Sequence, residues 1–168
     1  MPEKTQQLLS AVMIGVVAGM RSQLPLALLS LAARQHISEA RKLPEILSSP
    51  RVSALLLVNA AGEIVVDKMP FTPSRLIPGS LVVRTGVGGL AGALLSRSAG
   101  LGPLSGAACG AVGALLGSYG GYTVRAGLVA TTGLPDPLFA VLEDVTAIAI
   151  GSHAVGLTGN EAEKRITT

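Results

Sequence analysis

Aromatic side chains are nearly absent from this chain. Its 168 residues include two Phe, two Tyr and no Trp. Proteins that bind single-stranded nucleic acids rely on aromatic side chains that stack against bases, and this chain cannot supply such a surface. Its 13 Lys and Arg residues form no basic run, although the net charge is +3. These two features exclude nucleic acid as an expected partner.

Cysteine is scarce as well, since Cys109 is the single one in the chain. An intramolecular disulfide and a zinc site built from cysteines are therefore excluded, and we expect Cys109 to be a small packing residue. The sequence contains no HExxH helix motif, no Walker loop and no G-x-S-x-G nucleophile elbow. We accordingly predict no cofactor and no metal site, and the sequence favours a protein without enzymatic activity.

Charged residues are scarce too. They make up only 14% of the chain, whereas soluble domains carry about 25%. The longest uncharged stretch spans 98–124. Its glycines recur at a spacing that places them on one face of a helix: Gly102, Gly106, Gly110, Gly113, Gly117 and Gly121. In a membrane, small residues on one face allow two helices to approach closely. This stretch therefore predicts a lipid-embedded helix that packs through its glycines.

Apolar segments elsewhere predict further membrane helices, since a spanning helix needs about 20 mostly apolar residues. The predicted helices cover 6–33, 51–67, 80–97, 101–124 and 137–157. Pro25 and the polar residues Arg21–Gln23 interrupt the first helix. Polar connections occupy 34–50 and 68–79, and a polar tail occupies 159–168. We thus expect an all-α fold: a polytopic membrane helix bundle of about five helices in one domain, 1–168, with a broken first helix and glycine-zipper packing.

The expected location is the inner (plasma) membrane, with several passes. Lys4 before an apolar stretch resembles the start of a signal peptide, but Glu3 and the lack of a small-residue cleavage site favour a retained helix. A slight excess of Lys and Arg on the side of loop 34–50 favours a cytoplasmic C-terminus. Membrane lipids are the expected partners, together with further copies of the chain in a homo-oligomer.

A nucleotide-binding fold is the main structural alternative. The string LVV at 81–83 followed by GVGGLA at 86–91 matches a strand, a GxGxxA turn and a helix. That motif also requires an acidic residue about 20 positions later. No Asp or Glu occurs between Asp67 and Asp136. We therefore expect Gly88 and Gly92 to form a second small-residue helix face instead.

Ionisable residues inside apolar helices are the candidate functional residues, because they are costly in a membrane. Asn59, Glu63 and Asp67 follow one helical face at a spacing of four. The proposed solute or ion pathway comprises Arg21, Asn59, Glu63, Asp67, Lys68, Arg84, Arg125, Glu143 and Asp144. Two alternatives stay open: Asp67 and Lys68 mark the membrane surface, and the break near Arg21 is a loop before a re-entrant segment.

Four short motifs carry a family resemblance. They are AGMRSQLP at 18–25, VDKMPFTPSR at 66–75, GLPD at 133–136 and LED at 142–144. In order and spacing they resemble a bacterial membrane-protein family catalogued as domain of unknown function 4126, over residues 8 to 157. The resemblance implies a small integral membrane protein, and it supplies neither an activity nor catalytic residues.

Three functions are compatible with these features. The leading hypothesis is a membrane protein that binds or passes a small solute, an ion or a proton through a charged intramembrane site. The first alternative is a scaffold that associates through glycine-rich helix faces without transport. The second alternative is a lipid-acting intramembrane enzyme that uses the acidic pairs as general acid and base or as metal ligands.

Overall fold

The structure is a computed structural model that describes residues 2–35, 37, 43–66 and 76–158. Within these ranges the chain forms seven helices and no strand, which confirms the all-α prediction. The helices are α1 Pro2–Met20, α2 Leu24–Arg34, α3 Glu45–Ser48, α4 Pro50–Val66, α5 Pro78–Ser98, α6 Pro103–Thr132 and α7 Asp136–Ala154. The GxGxxA stretch lies inside α5, so it does not form the strand and turn of a nucleotide-binding fold.

The first predicted helix is divided into α1 and α2, which accounts for part of the difference between five and seven helices. The division falls at residues 21–23, where the sequence predicts an interruption. Pro25 lies in the first turn of α2, a position where the missing N–H costs little because it has no intrahelical partner. The short helix α3 begins after Pro44, inside a segment predicted to be a polar connection.

Helix α6 extends beyond its predicted end at residue 124. It continues through Arg125 to Thr132, because arginine is a good helix former and does not end a helix. The helix ends at Gly133, whose φ of +67° is the left-handed conformation that glycine adopts without strain. The N–H of Gly133 donates a 3.0 Å hydrogen bond to the carbonyl of Val129.

Helix α1 lies at the centre of the fold and contacts α2, α5, α6 and α7. Glycines make these contacts close. A Cβ atom at Gly110 would overlap the carbonyl of Gly88 in α5, and one at Gly117 would overlap the carbonyl of Val16 in α1. The same close approach to a neighbouring backbone occurs at Gly15, Gly19, Gly92, Gly106 and Gly113. Any larger residue at these positions would push the helices apart.

Two of the glycines predicted for the packing face are less buried than the other four. Gly102 is exposed because it precedes the first turn of α6, where no neighbouring helix reaches it. Gly121 is partly exposed and lines a cleft. Close contacts of α6 with neighbouring backbone occur at its four buried glycines, from Gly106 to Gly117.

One helix among the described residues, α5, is both long and apolar enough to cross a membrane. Helix α2 is apolar but shorter. Helix α6 is longer than α5 but does not meet the same criteria. In the part of the chain that the structure describes, one helix thus meets the length and composition of a membrane span, whereas the sequence predicts five.

Candidate functional site

The break between α1 and α2 brings cationic and polar donors to the end of α1. Arg84 of α5 donates from Nη1 to the carbonyl of Gly19 at 2.9 Å, and Ser118 Oγ of α6 donates to the same carbonyl at 3.3 Å. Arg21 donates from Nη1 to the carbonyl of Met20 at 3.4 Å. The last carbonyls of a helix have no intrahelical donors and carry partial negative charge, so these cations stabilise the end of α1.

A carboxylate occupies the opposite side of the break, at the start of α2. Glu63 of α4 accepts hydrogen bonds from Ser22 N, Ser22 Oγ and Gln23 N, each at 2.8 Å. The Gln23 side chain makes no capping bond of its own, so Glu63 replaces the missing cap. Arg84 Nη2 lies 3.5 Å from Glu63 Oε1. Glu63 therefore caps the start of α2, Arg84 caps the end of α1, and the two side chains form an ion pair. This structural role explains the presence of both charges at the break.

A buried ion pair connects this break to α7. Arg21 is completely buried, and its Nε donates to Asp144 Oδ1 at 2.5 Å. Asp144 is buried as well. The attraction in such a pair roughly offsets the loss of hydration, but removing one partner strands the other charge and is strongly destabilising. The pair therefore fixes the position of α7 against the break.

A second charged group lies on α6 and α7. Arg125 donates from Nε and Nη2 to the two carboxylate oxygens of Asp136, at 2.7 and 2.5 Å. This is the paired geometry that a guanidinium and a carboxylate form at their strongest. Arg125 Nη1 also lies 3.7 Å from Glu143 Oε2. Because Glu143 and Asp144 are adjacent in α7, the second group adjoins the first.

Helices α1, α6 and α7 enclose a cleft of about 330 Å³. Its walls are mainly apolar and include Val16 and Met20 of α1, Leu116 and Val124 of α6, and Phe139 and Ile150 of α7. The charged side chains that line it are Arg125 and Glu143. A pocket with apolar walls and a few convergent polar groups is the usual form of a small-molecule site.

Most of the predicted site residues lie in these two groups: Arg21, Glu63, Arg84, Arg125, Glu143 and Asp144. Asn59 does not join them. It is exposed, and its Nδ2 donates to the carbonyl of Leu55 in its own helix at 2.8 Å. Helix α4 buries only Ser53 and Ala60, so position 59 faces away from the bundle. Asp67 and Lys68 lie outside the described residues.

The sequence prediction omitted several groups that complete the site. Ser22 and Gln23 act through backbone N–H groups, which leave no compositional signal. Asp136 could have been found, because it starts α7 immediately after the turn that follows α6 and can reach back to Arg125. Within the described ranges no cluster of three or more His, Cys, Asp and Glu residues is suited to hold a metal ion.

Comparison with known proteins identifies a family. The family model described as "Domain of unknown function (DUF4126)" matches residues 8–157. Because this match covers most of the chain, the protein belongs to that family. Neither a curated protein nor a solved structure matches the chain.

Proposed function

We propose that this DUF4126 protein is a multi-pass protein of the inner (plasma) membrane that binds a small solute at a charged intramembrane site. The observation that carries the proposal is an inverted distribution of side chains. Arg21 is 0% exposed, whereas Leu116 and Val145 are 59% and 60% exposed. Unpaired charged side chains are almost never fully buried in water-soluble proteins, and a buried pair such as Arg21 with Asp144 beneath an apolar surface is typical of a membrane interior.

The apolar surface involves several helices, which supports more than one pass. Exposed large apolar residues lie on α4 (Leu55, Val58, Val65), α5 (Val82, Val83, Leu90), α6 (Leu104, Val112, Leu116, Val124) and α7 (Val141, Leu142, Val145). Large exposed apolar patches are rare on soluble monomers, and here large apolar side chains are exposed on four helices. Acyl chains of lipids would cover it in a bilayer.

Close packing through glycine supports the same location. The proposed glycine zipper consists of α6 glycines that oppose glycines of α1 and α5, as Gly110 opposes Gly15 and Gly88. Lipid tails are as apolar as the side chains that helices would bury, so helix association in a membrane depends on close dispersion contacts. Backbone contacts through glycine supply them.

The cleft is the better candidate for the binding site than the helix break. At the break, Glu63 and Arg84 are held by the ends of α1 and α2 and by each other. The cleft offers open volume beside Arg125 and Glu143. A small solute could place an apolar part against the apolar walls of the cleft and a polar group near Arg125 and Glu143.

Binding can be tested with purified protein in detergent and in vesicles. A panel of inorganic ions, amines, carboxylates and sugars would be screened by thermal unfolding and then by uptake into vesicles. A ligand at about 100 times its Kd stabilises a protein by about 2.7 kcal/mol. We expect at least one solute to raise the Tm of the wild type, and Glu143→Gln to abolish that rise.

Asn59→Ala is the matched control, because Asn59 is exposed and lies outside both charged groups. It should respond to the solute like the wild type. If no solute of the panel changes the Tm or crosses the vesicle membrane, and Glu143→Gln behaves like the wild type in cells, the binding proposal is wrong.

A scaffold is the second candidate, and helix α4 favours it. This helix packs mainly on α2 and α3 and leaves Leu55, Val58 and Val65 exposed. A homo-oligomer or another membrane protein could cover that face. Cross-linking between copies through Val58→Cys in a Cys109→Ala background, together with no response to any solute, would support the scaffold over the binding protein.

A further inference from the structure

We infer that the cleft of α1, α6 and α7 binds a lipid with a single acyl chain and an uncharged, hydroxylated headgroup, and that this lipid enters sideways from the bilayer. This inference rests on the proposed function, because it takes the protein to lie in a membrane, and it names the chemical class of the solute. The observations behind it are the opening, the length and the polar end of the cleft.

The cleft opens onto the apolar surface of the protein. Three apolar side chains that line it are also more than half exposed: Leu116 and Val124 of α6, and Leu142 of α7. Its deeper wall includes Met20 of α1 and Phe139 of α7, which are buried. Lipid tails are as apolar as these side chains and would contact the exposed ones in a bilayer. An apolar occupant can therefore reach the cleft from the lipid without passing through water.

The cleft is elongated along α6 and α7. Its lining extends from Leu116 to Leu128 on α6 and from Phe139 to Ile150 on α7. At a rise of 1.5 Å per residue these stretches are about 18 and 17 Å long. The hydrocarbon thickness of one bilayer leaflet is about 15 Å, so an extended acyl chain has a similar length. The volume of about 330 Å³ is at the lower end of the range for ligand pockets, which favours one chain over two.

Two opposite charges lie together towards one end of the cleft. Arg125 is one turn from Leu128 in α6, and Glu143 is one turn from Phe139 in α7. Arg125 Nη1 lies 3.7 Å from Glu143 Oε2. A charged headgroup of either sign would be repelled by one of these side chains. A hydroxyl group suits both, because it can accept from a guanidinium and donate to a carboxylate, as the headgroup of a monoacylglycerol does.

The chain contains no Trp, so the fluorescence of a single introduced Trp would report what occupies the cleft. Leu116→Trp places this reporter in the cleft lining, and Leu115→Trp places it beside the lining at almost the same depth. Each variant would be reconstituted into phosphatidylcholine vesicles that contain increasing amounts of a monoacylglycerol brominated on its chain, because bromine quenches Trp. We expect saturable quenching of Leu116→Trp, half-complete at a mole fraction at least about tenfold lower than for Leu115→Trp.

Two glycine substitutions separate the cleft from the rest of α6. A Cβ at Gly120 or at Gly127 meets no neighbour within 4 Å, and leucine is a better helix former than glycine, so both leucine variants should fold. Of these two glycines, Gly120 lines the cleft. Added to Leu116→Trp, Gly120→Leu should fill the cleft and remove the saturable quenching, whereas Gly127→Leu should retain it.

Competition tests the headgroup. Unbrominated amphiphiles with the same chain would be added to the Leu116→Trp variant at half-saturation with the brominated lipid. The monoacylglycerol should restore the fluorescence at a lower mole fraction than the fatty acid or the alkylammonium compound. Equal or better displacement by either charged amphiphile would overturn the uncharged headgroup.

The remaining outcomes decide whether a lipid occupies the cleft. Equal quenching of Leu115→Trp and Leu116→Trp would overturn the inference, because lipid would then cover this surface without a site. Weaker quenching of Leu116→Trp would also overturn it and would indicate that a second copy of the chain covers the cleft. Saturable quenching that persists with Gly120→Leu would place the lipid elsewhere. In each of these cases, a solute of the panel that raises the Tm would leave the proposed function intact, so the two proposals can fail separately.

Discussion

Replacing Gly110 by Ala tests one of the closest helix contacts in the fold. The new Cβ would overlap the carbonyl of Gly88 and lie 3.2 Å from the Cα of Gly92, and both are backbone atoms of α5. Backbone atoms cannot rotate away as a flexible side chain can, so α5 and α6 must separate. Such overpacking costs about 1–3 kcal/mol, and the better helix propensity of Ala recovers about 0.5–1 kcal/mol.

Gly120→Ala is the matched control in the same helix. A Cβ at Gly120 meets no atom within 4 Å, so only the gain in helix propensity remains. A change of 1 kcal/mol shifts the Tm of a protein of this size by about 2–4 °C. For Gly110→Ala, the middle of the overpacking and helix-propensity ranges is a net cost of about 1.25 kcal/mol, so in detergent we expect Gly110→Ala to lower the Tm by about 2.5–5 °C and Gly120→Ala to raise it by about 1–4 °C.

Opposite signs for two identical substitutions in one helix are the decisive feature of this experiment. Thermal unfolding followed by circular dichroism would measure both variants and the wild type in the same micelles. A Gly110→Ala variant that is as stable as Gly120→Ala would refute the close packing of α5 against α6.

The remaining predictions concern the charged groups and one turn. Arg21→Met should destabilise the protein by about 3–5 kcal/mol because it strands Asp144, and Arg21→Met combined with Asp144→Leu should recover much of this loss in denaturant unfolding. Glu63→Ala should cost about 1–3 kcal/mol by leaving the start of α2 without its cap, whereas Asn59→Ala in the same helix should be nearly neutral. Gly133→Ala should lower stability by about 1 kcal/mol, because φ of +67° strains any residue with a Cβ; an unchanged unfolding midpoint would contradict this reasoning.

Local signals predicted the break in the first helix well. Arg21, Ser22, Gln23 and Pro25 lie within five residues, and helix termination depends on just such neighbours. The identity of the groups that complete the break was not predictable in this way. Glu63 is held there by backbone N–H groups, which every residue except proline carries.

The glycine spacing predicted a face but not its extent. A period of three to four residues places Gly102 and Gly121 on the same side of α6 as Gly110. Whether a glycine is buried depends on where the neighbouring helices end, and this is a property of the tertiary fold. Gly15 and Gly19 in α1 have the same spacing of four, so the opposing face could have been recognised from the sequence.

Pairing between distant residues could not be predicted uniquely. Arg21 and Asp144 are 123 residues apart, and nothing in the sequence distinguishes Arg21 from Arg84 or Arg125 as a partner for Asp144. The structure pairs Arg21 with Asp144, Arg84 with Glu63, and Arg125 with Asp136 and Glu143. The spacing of four between Asn59 and Glu63 predicted a shared site, but Asn59 is exposed and bonds within its own helix.

The inverted distribution of charge is the central claim, and spin-label accessibility in vesicles tests it most directly. Single cysteines would replace Val112 of α6, Val145 of α7 and, as the control, Lys4 near the start of α1, all in a Cys109→Ala background. Labels at Val112 and Val145 should collide with oxygen and be shielded from a water-soluble nickel chelate, while the label at Lys4 should show the reverse. If the nickel chelate reached Val112 and Val145 as freely as Lys4, the apolar surface would face water and the membrane assignment would be wrong.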